Sequence, residues 1–294
     1  MRIAKGVPKS HLYKVVRSGQ VRVNGGRVKV SSRLSPGDVV RVPPMHIKTS
    51  EPVRVPDKLQ KALKDAIVLH NDDFLVLNKP AGIAVHGGSG LAFGAIDGLR
   101  QALDSSSLEL VHRLDRATSG ALLVATSRKS CRVLQEQFRS RVVGKHYIAL
   151  VSGDWPAHAT TVNVPLTANR EHAGERRVVV DTDNGKPSVT HMKVNERFAN
   201  VSLLDIELDT GRTHQIRVHA ASQGHPVIGD ERYGNNRDNQ HYRRLGLNRL
   251  YLHSAQLDFS WNGKDVCCKV PVDDSWRQSI ERLRGESDSV EIQQ

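Results

Sequence analysis

The sequence predicts an α+β fold in which a mixed, largely antiparallel sheet follows a small basic module. Between residues 65 and 284, apolar runs of strand length follow one another with few helical patterns between them. That order is typical of α+β proteins and not of doubly wound ones. Residues 1–44 hold ten basic side chains and one acidic one, a net +9, whereas the remaining 250 residues carry +3. Prolines in the segment 45–64 separate the two parts and predict a linker.

The basic module is predicted to begin with a helix over residues 11–18. Ser10 stands at its N-cap position and Gly19 at its C′ position, and both residue types are preferred there. One face of this helix carries the apolar side chains Leu12, Val15 and Val16. The opposite face carries Lys14 and Arg17 and is predicted to be exposed to solvent.

A β-hairpin is predicted next. Residues 20–24 and 27–30 alternate with a period of two around Gly25-Gly26, and residues 39–42 predict a third strand. The valines fall on one face of these strands. The other face carries Arg22, Asn24, Arg27 and Lys29.

The basic charge of the module indicates a polyanionic partner. A cationic surface on a folded unit most often binds nucleic acid. The alternative is a charged surface that only keeps the protein soluble, but charges of one sign are less easily explained in that way. The candidate phosphate-binding residues are Lys14, Arg17, Arg22, Asn24 and Lys29.

Several classes of protein are excluded by what the sequence lacks. No apolar run approaches the ~20 residues of a membrane-spanning helix, and the first residues contain no apolar signal segment. Three cysteines without a Cys-x-x-Cys pair fit a reducing compartment and do not fit a disulfide framework or a zinc ribbon. Neither a Gly-x-Gly-x-x-Gly nor a Walker motif is present, which argues against nucleotide cofactors.

The module resembles an S4 RNA-binding domain, a small αL-type motif. The resemblance lies in the stretch Arg17-Ser18-Gly19-Gln20-Val21-Arg22-Val23-Asn24-Gly25 and in Gly37-Asp38 with Val42. S4 domains open with a further helix that begins Arg-Leu-Asp, and this chain begins in the last turn of that helix. We therefore expect an S4 domain over residues 1–44 whose first helix is missing.

The body of the chain, residues 65–284, is predicted to consist of runs of strands with two helices among them. Residues 285–294 are predicted to form a flexible polar tail. The predicted strands are residues 67–69, 74–77, 108–114, 121–125, 147–151 and 201–208. The predicted helices are residues 128–139 and 213–222.

The first chemically distinctive segment is residues 112–120, His-Arg-Leu-Asp-Arg-Ala-Thr-Ser-Gly. It places Asp115 between two arginines at the predicted end of a strand. Neighbouring arginines favour the ionised carboxylate, and an ionised, positioned carboxylate can act as a nucleophile or as a base. The alternative is that Asp115 only caps a turn and pairs with an arginine.

The second segment is residues 209–219, Asp-Thr-Gly-Arg-Thr-His-Gln-Ile-Arg-Val-His. Arg212 lies near the predicted N-terminus of a helix, which is a natural anion site. The alternatives are a solvated basic face and a metal site. His214 and His219 are five residues apart, which places them on different sides of a helix, so no metal ligand set is predicted.

Taken together, the two segments resemble motifs of the RluA-type pseudouridine synthases. Further stretches that carry the resemblance are Asn78-Lys79-Pro80-Ala81-Gly82, Lys145-His146-Tyr147, Gly185-Lys186-Pro187, Gly229-Asp230 with Tyr233-Gly234, and Leu252-His253-Ser254-Ala255. The resemblance covers residues 65–284. It implies the pseudouridine synthase fold and an enzyme that isomerises uridine in RNA, without a metal or another cofactor.

The resemblance also implies roles for individual residues. Asp115 matches the essential aspartate, which in the family attacks the ribose or takes a proton from it; the sequence leaves both possibilities open. Tyr147 matches the active-site tyrosine that stacks on the target base. Arg217 matches the arginine that pairs with the aspartate, and Arg113 matches the arginine placed where the base leaves the helix. A base within RNA must be flipped out to react, which explains the need for an aromatic side chain and a cation.

We expect the partner to be 23S ribosomal RNA, with a monomeric enzyme in the cytoplasm and no membrane contact. One alternative is a synthase that acts on transfer RNA. The other is a non-catalytic RNA-binding or ribosome-assembly protein, which the intact set of Asp115, Tyr147 and Arg217 argues against.

Overall fold

The structure is a computed structural model that describes residue 7 and residues 9–44, 53–88, 90–170 and 176–291. Its contacts divide the chain into two compact units, residues 1–53 and residues 54–294. No helix in the described ranges is long and apolar enough to cross a membrane.

The described residues of unit 1 form one helix and a three-stranded antiparallel sheet. Its elements are α1 (Lys9–Arg17), β1 (Arg22–Val23), β2 (Gly26–Arg27) and β3 (Val40–Arg41), and the strand order is β2-β1-β3. The end of α1 is as predicted, because Gly19 takes φ +72° and donates its N–H to Val16 over 3.0 Å. The start differs: α1 already includes Ser10, so Ser10 is not the N-cap.

The hairpin turn of unit 1 lies one residue earlier than predicted. Gly26 pairs with Val23, and the turn residues are Asn24 and Gly25, with φ of +50° and +78°. A two-residue hairpin turn needs left-handed backbone at both positions, and Asn-Gly meets that need best. The valines of the sheet are also less buried than the alternation predicts, since Val39 is 72% exposed.

Unit 2 is an α+β unit with a large mixed sheet. Its helices are α2 (Asp57–Asp65), α3 (Ala95–Ala102), α4 (Arg128–Ser140), α5 (Gln215–Ser222), α6 (Asn236–Arg244) and α7 (Asp274–Glu291). Its strands are β4 (Ile67–His70), β5 (Phe74–Lys79), β6 (Glu109–Leu110), β7 (Ser119–Ala125), β8 (Gly144–Ser152), β9 (Thr161–Asn163), β10 (Leu166–Arg170), β11 (Arg176–Val180), β12 (Val189–Phe198), β13 (Val201–Leu208), β14 (Leu252–Trp261) and β15 (Lys264–Lys269).

The main sheet confirms the predicted fold class. Its order is β4-β5-β7-β14-β8-β13-β12-β9, with β6 added to β7 and β15 added to β14. All of these pairs are antiparallel except β7 and β14, which run parallel. The two strands β10 and β11 form a separate hairpin. The sheet is therefore mixed and largely antiparallel.

Most of the predicted elements of the body are present, with one strand much shorter than expected. The predicted strand 108–114 is shortened to β6. Beyond β6, the Leu123 N–H donates to Nε2 of the His112 ring at 2.9 Å and not to a backbone carbonyl of the predicted strand. The predicted linker 45–64 contains α2, whose Leu63 is fully buried in unit 2; residues 45–52 lie outside the described ranges. At the other end, α7 continues to Glu291, through part of the predicted tail.

The helix α5 lies on one face of the main sheet and carries the second chemical segment there. Its Ile216 and Ala220 pack with Ala149 of β8 and with Leu204 and Ile206 of β13. Every residue from Gln215 to Ala220 is buried. The charged and polar side chains of this helix are therefore held inside the protein and do not form a solvated face.

Candidate active site

Asp115 lies in the loop between β6 and β7, and its partner comes from α5. Arg217 donates Nη1–H to Asp115 Oδ2 at 3.2 Å, across 102 positions of the sequence. The Asp115 side chain retains 21% of its exposure, so it is reachable from outside. Gly120 fixes this loop close to β14, because a Cβ at this position would lie 2.2 Å from the Ser254 carbonyl oxygen. The arginine that pairs with Asp115 thus comes from the second distinctive segment of the sequence.

A second carboxylate holds the other side of Arg217. Asp230 accepts Nε–H at 2.7 Å and Nη2–H at 2.8 Å from the guanidinium, and its own side chain is fully buried. Burial alone would raise the pKa of Asp230, but its hydrogen bonds with Arg217 and the charge of that arginine lower it. Burial would likewise lower the pKa of Arg217, but Asp230 and then Asp115 raise it. The pair is therefore ionised, and the guanidinium is fixed as a fork.

Asp230 is itself held by the segment that follows it. Its Oδ1 accepts the backbone N–H groups of Arg232 at 2.9 Å and Tyr233 at 3.1 Å, and its carbonyl oxygen accepts a hydrogen bond from Asn239. Gly229 before it has φ +76°, and its Cα lies close enough to the backbone at Arg249 to exclude a side chain. A rigid turn thus positions Asp230, which positions Arg217, which faces Asp115.

A cavity of about 240 Å³ opens beside Asp115 and is lined by Tyr147 from β8. Burial raises the pKa of Tyr147 to about 12, and the charge of Asp115 acts in the same direction. The phenol is therefore protonated at neutral pH. The cavity offers a carboxylate, an aromatic ring and a neutral hydroxyl group to a small planar molecule.

The far side of this cavity is built by His112, Phe138 and Lys145. The His112 ring stacks on Phe138 with 4.6 Å between centroids and 13° between planes. Burial lowers the pKa of His112 to about 4, and the charge of Lys145 adds to the effect. His112 is therefore neutral at pH 7 and serves as a wall of the cavity and as a backbone acceptor.

Lys79 holds the backbone of the loop that carries Asp115. It is fully buried, and its Nζ donates to the carbonyl oxygens of Pro80 and Ile83 at 2.8 Å and of Arg116 at 3.3 Å. The Gly82 N–H also bonds to the Arg116 carbonyl at 2.8 Å. Burial lowers the pKa of Lys79 to about 7. This side chain ties residues 79–83 to the residue that follows Asp115.

A wide cleft of about 810 Å³ lies on the other side of Asp115 and is rich in arginine. Asp115, His214 and Arg217 border both this cleft and the smaller cavity. The arginines that line the cleft are Arg113, Arg116, Arg177, Arg217, Arg232, Arg243 and Arg249. Its acidic lining residues are Asp115 and Glu231. A cationic cleft of this kind fits a chain of phosphates next to the smaller cavity.

Comparison with known proteins agrees with this geometry. A family model described as RNA pseudouridylate synthase matches residues 73–222, and one described as S4 domain matches residues 2–40. The chain belongs to the RNA pseudouridylate synthase family. It is an RNA pseudouridine synthase, an isomerase.

Individual relatives support the same assignment. The ribosomal large subunit pseudouridine synthase C of Yersinia pestis is 49% identical over 285 residues, which cover 95% of this chain and 89% of the relative. The protein of the same name from Escherichia coli K12 is 48% identical over 290 residues, covering 95% and 90%. Among solved structures, human RNA pseudouridylate synthase domain containing 4 matches with a TM-score of 0.65 and 27% identity, over 77% of this chain and 96% of that one.

In this pseudouridine synthase the predicted site residues of unit 2 lie together. Asp115, Tyr147, Arg217 and Arg212 all line the small cavity, and Arg113 borders both the cavity and the cleft. Arg212 also donates Nε–H to the Pro187 carbonyl at 3.4 Å. No group of three His, Cys, Asp or Glu side chains in the described ranges is placed to hold a metal ion.

The predicted RNA-binding residues of unit 1 fall into two groups. Lys14, Arg17 and Lys29 are exposed. Arg22 instead donates Nε–H to the Gly19 carbonyl at 3.0 Å, and the Asn24 amide bonds to Asp38 and to the N–H of Val39. These two side chains hold the hairpin together, which their alternation in the sequence does not reveal.

Other functional residues of the synthase were missed by sequence reasoning. Asp230 and Tyr233 stand in a stretch that carries the family resemblance, but nothing in their spacing predicts that Asp230 clamps Arg217. The arginines Arg177, Arg232 and Arg243 were not singled out in the sequence, and they meet Arg116 in the cleft through the fold alone.

Proposed function

We propose that this enzyme isomerises uridines of large-subunit ribosomal RNA to pseudouridine, with Asp115 as the catalytic residue. The observation that carries the proposal is that Asp115 borders both a small cavity and a cationic cleft and is held by Arg217. The choice of RNA follows the names of the relatives, both of which are ribosomal large subunit enzymes.

The reaction needs no external reagent. The bond between N1 of uracil and C1′ of ribose breaks, a bond between C5 and C1′ forms, and the proton of C5 moves to N1, so that atoms and electrons balance. Asp115 starts the reaction either by attacking the sugar or by taking a proton from it; both roles need an ionised carboxylate. Arg217 orients this carboxylate by a hydrogen bond of 3.2 Å.

Tyr147 and Arg113 serve the base that leaves the RNA stack. A base is flipped into a closed pocket before an enzyme can act on it, and the pocket holds it by stacking and hydrogen bonds. The protonated Tyr147 phenol offers a ring and a hydroxyl group inside the cavity. Arg113 is exposed at the border of cavity and cleft, where the vacated place in the RNA would lie.

The cleft and unit 1 supply affinity for RNA without reading its sequence. Phosphate contacts from arginine and lysine position a protein on nucleic acid and dominate its affinity. We assign that role to Arg116, Arg232 and Arg243 in unit 2 and to Lys14, Arg17 and Lys29 in unit 1. Residues 1–44 act as an S4 domain in this proposal, and the enzyme works as a monomer in the cytoplasm, where its RNA is made.

The deciding experiment is conversion of RNA by the purified chain. Protein-free 23S ribosomal RNA, 16S ribosomal RNA and bulk transfer RNA, all transcribed without modifications, are incubated separately with the enzyme, and pseudouridines are mapped at single-nucleotide resolution. We expect pseudouridine at a small set of positions in 23S RNA and none in the other two. Conversion of transfer RNA alone would refute the ribosomal assignment while keeping the enzyme class. Absence of conversion in all three RNAs would refute the proposed activity.

A further inference from the structure

His214 lies directly beside Asp115 in an unusual backbone conformation. It precedes α5 with φ +55° and ψ +18°, the left-handed region that non-glycine residues seldom adopt. Its Nε2 is 3.6 Å from Asp115 Oδ2, and its side chain is 13% exposed. Strained residues of this kind cluster at functional sites. This conformation turns the imidazole toward the Asp115 carboxylate. Which ring nitrogen carries a proton therefore affects that carboxylate.

The other nitrogen of the ring faces Tyr233. Nδ1 of His214 lies 2.7 Å from the Tyr233 hydroxyl oxygen, which also accepts the Val178 N–H at 3.1 Å. Burial raises the pKa of Tyr233, so the hydroxyl group has a proton to donate at neutral pH. With the Val178 N–H already at this oxygen, donation of the hydroxyl proton to Nδ1 completes its hydrogen bonds, and in that arrangement Nδ1 is the unprotonated nitrogen.

The contact between His214 Nε2 and Asp115 leads independently to the same tautomer of the ring. A bare nitrogen lone pair would repel a carboxylate, whereas an N–H is attracted to it. A neutral ring has one proton to place. Burial lowers the pKa of His214, which keeps the ring neutral at pH 7. The charged groups around it are Asp115, Arg217, Asp230 and Arg232, with Arg177 against the ring of Tyr233.

We propose that Tyr233 fixes His214 in the tautomer with its proton on Nε2, so that His214 and Arg217 together hold the Asp115 carboxylate in its reactive orientation. His214 and Tyr233 are positioning residues in this proposal, which rests on the proposed function. The separation of 3.6 Å shortens to a hydrogen bond when substrate fills the cavity, as contacts in unliganded enzymes often do. The ring of Tyr233 also supports the Arg217 guanidinium, 5.2 Å from its centroid.

The tautomer is tested directly by NMR of protein labelled with ¹⁵N-histidine. The two-bond couplings distinguish the protonated from the bare nitrogen, and the His214→Gln spectrum identifies the signals of residue 214. We expect the proton on Nε2 in the parent enzyme and a mixture of tautomers in Tyr233→Phe. A proton on Nδ1 in the parent enzyme would overturn the proposal, whatever the activity.

Two substitutions of His214 separate positioning from stability. The amide nitrogen of Gln reaches the place of Nε2, whereas that of Asn reaches only the place of Nδ1. Asn tolerates left-handed backbone better than Gln, so His214→Asn should be the more stable variant. Activity should follow the opposite order: about 10-fold loss of single-turnover rate for His214→Gln and about 100-fold for His214→Asn, the range expected for a hydrogen bond to a charged group. RNA affinity should stay within about twofold of the parent.

Tyr233→Phe has a matched control in Tyr242→Phe. Tyr242 is buried, whereas Tyr233 is half-buried, and the Tyr242 hydroxyl is likewise hydrogen-bonded, to Ser152 and to the Asn200 carbonyl, away from Asp115. Tyr233→Phe should lower the single-turnover rate about 10-fold at unchanged RNA affinity, and Tyr242→Phe should leave it unchanged. Equal single-turnover rates for Tyr233→Phe and Tyr242→Phe would overturn the proposal. A His214→Asn enzyme as fast as His214→Gln would overturn it as well. A parent enzyme that converts no uridine would instead refute the proposed function, and the NMR result would still decide the tautomer.

Discussion

Asp230 holds Arg217 through two hydrogen bonds of 2.7 and 2.8 Å, and this leaves Nη1 of the same guanidinium to face the Asp115 carboxylate. The arrangement uses one arginine to join a fully buried carboxylate to a partly exposed one. The buried partner neutralises the cation and fixes its plane, so that the exposed partner meets a donor already in position. Positioning of this kind is effective in catalysis because nothing has to reorganise when the substrate reacts.

Asp115→Asn should leave the fold and RNA affinity intact and abolish turnover. The substitution keeps the shape of the side chain but removes the negative charge that a nucleophile or a base needs. Pseudouridine formation in single-turnover assays, together with binding of the same RNA, measures both properties. A pure Asp115→Asn preparation that converts uridine would refute the catalytic role.

Asp230→Asn should damage both stability and catalysis. It leaves the Arg217 cation half-paired inside the protein, and breaking a buried pair costs about 3–5 kcal/mol. We expect the free energy of unfolding to fall by about that amount and the single-turnover rate to fall at least about 10-fold. Measurements at a temperature where the variant is fully folded separate the two effects.

The matched control for this substitution is Asp258→Asn. Asp258 also has a side-chain partner, the His146 ring with Nε2 at 2.8 Å, but both residues are about one-third exposed and lie outside the cavity and the cleft beside Asp115. Partly exposed pairs contribute little to stability. If Asp230→Asn and Asp258→Asn behave alike, Asp230 does not position Arg217.

The stability of unit 2 should fall on acidification through the range set by His112. Burial lowers the pKa of this histidine from 6.5 to about 4 in the folded protein. Between these values the unfolded chain binds a proton that the folded chain does not, so stability decreases as pH falls from about 6.5 to about 4. The full effect is about 3 kcal/mol.

The effect is measured by comparing the parent with His112→Gln in denaturant titrations at several pH values. Gln offers an amide oxygen that can still accept the Leu123 N–H, but it does not titrate. Other buried histidines contribute to both proteins equally, so the difference isolates residue 112. The stability difference should shrink as pH falls through this range. A difference that is independent of pH would show that His112 is not held neutral.

Local patterns predicted the parts of the fold that depend on neighbours in sequence. The apolar run of residues 121–125 is the fully buried strand β7, and the helical spacing of residues 128–139 is the helix α4. The helix α6 escaped prediction because its sequence, Asn-Arg-Asp-Asn-Gln-His-Tyr-Arg-Arg, has no apolar stripe. It is held instead by Asn239, which bonds to the turn of Asp230, and by the buried ring of Tyr242.

Some residues of the candidate site could also be predicted from the sequence, and others could not. Asp115, Tyr147 and Arg217 were predicted by resemblance to a family, and local chemistry alone left Asp115 open to a purely structural role. The clamp by Asp230 could not be predicted, because charge pairing across a turn depends on where the backbone brings two side chains. Arg22 shows the same limit: its alternation predicts a phosphate contact but does not reveal that its Nε–H is donated to the carbonyl oxygen of Gly19.

The exposed cations of unit 1 should strengthen RNA binding in a manner that depends on salt. Lys14 and Arg17 lie on one side of α1, and removing one phosphate interaction should reduce the slope of log affinity against log salt by about 0.7 to 0.9. Lys14→Ala with Arg17→Ala should therefore lower the slope by about 1.5 and weaken binding to all RNAs alike. The rate at saturating RNA should not change, because these residues touch no reacting atom.

Two comparisons give this experiment its controls. Lys193→Ala with Lys264→Ala removes two exposed lysines of unit 2 that line neither the cavity nor the arginine cleft, and it should keep the parent slope. Arg22→Ala should chiefly destabilise the hairpin, because Arg22 holds the backbone at Gly19 and Gly25. If the Lys14 and Arg17 double variant keeps the parent salt slope while its circular dichroism is unchanged, unit 1 does not bind the RNA backbone through α1. Its charge of +9 would then have to serve another anionic surface, and the cleft around Asp115 would supply the electrostatic affinity for RNA.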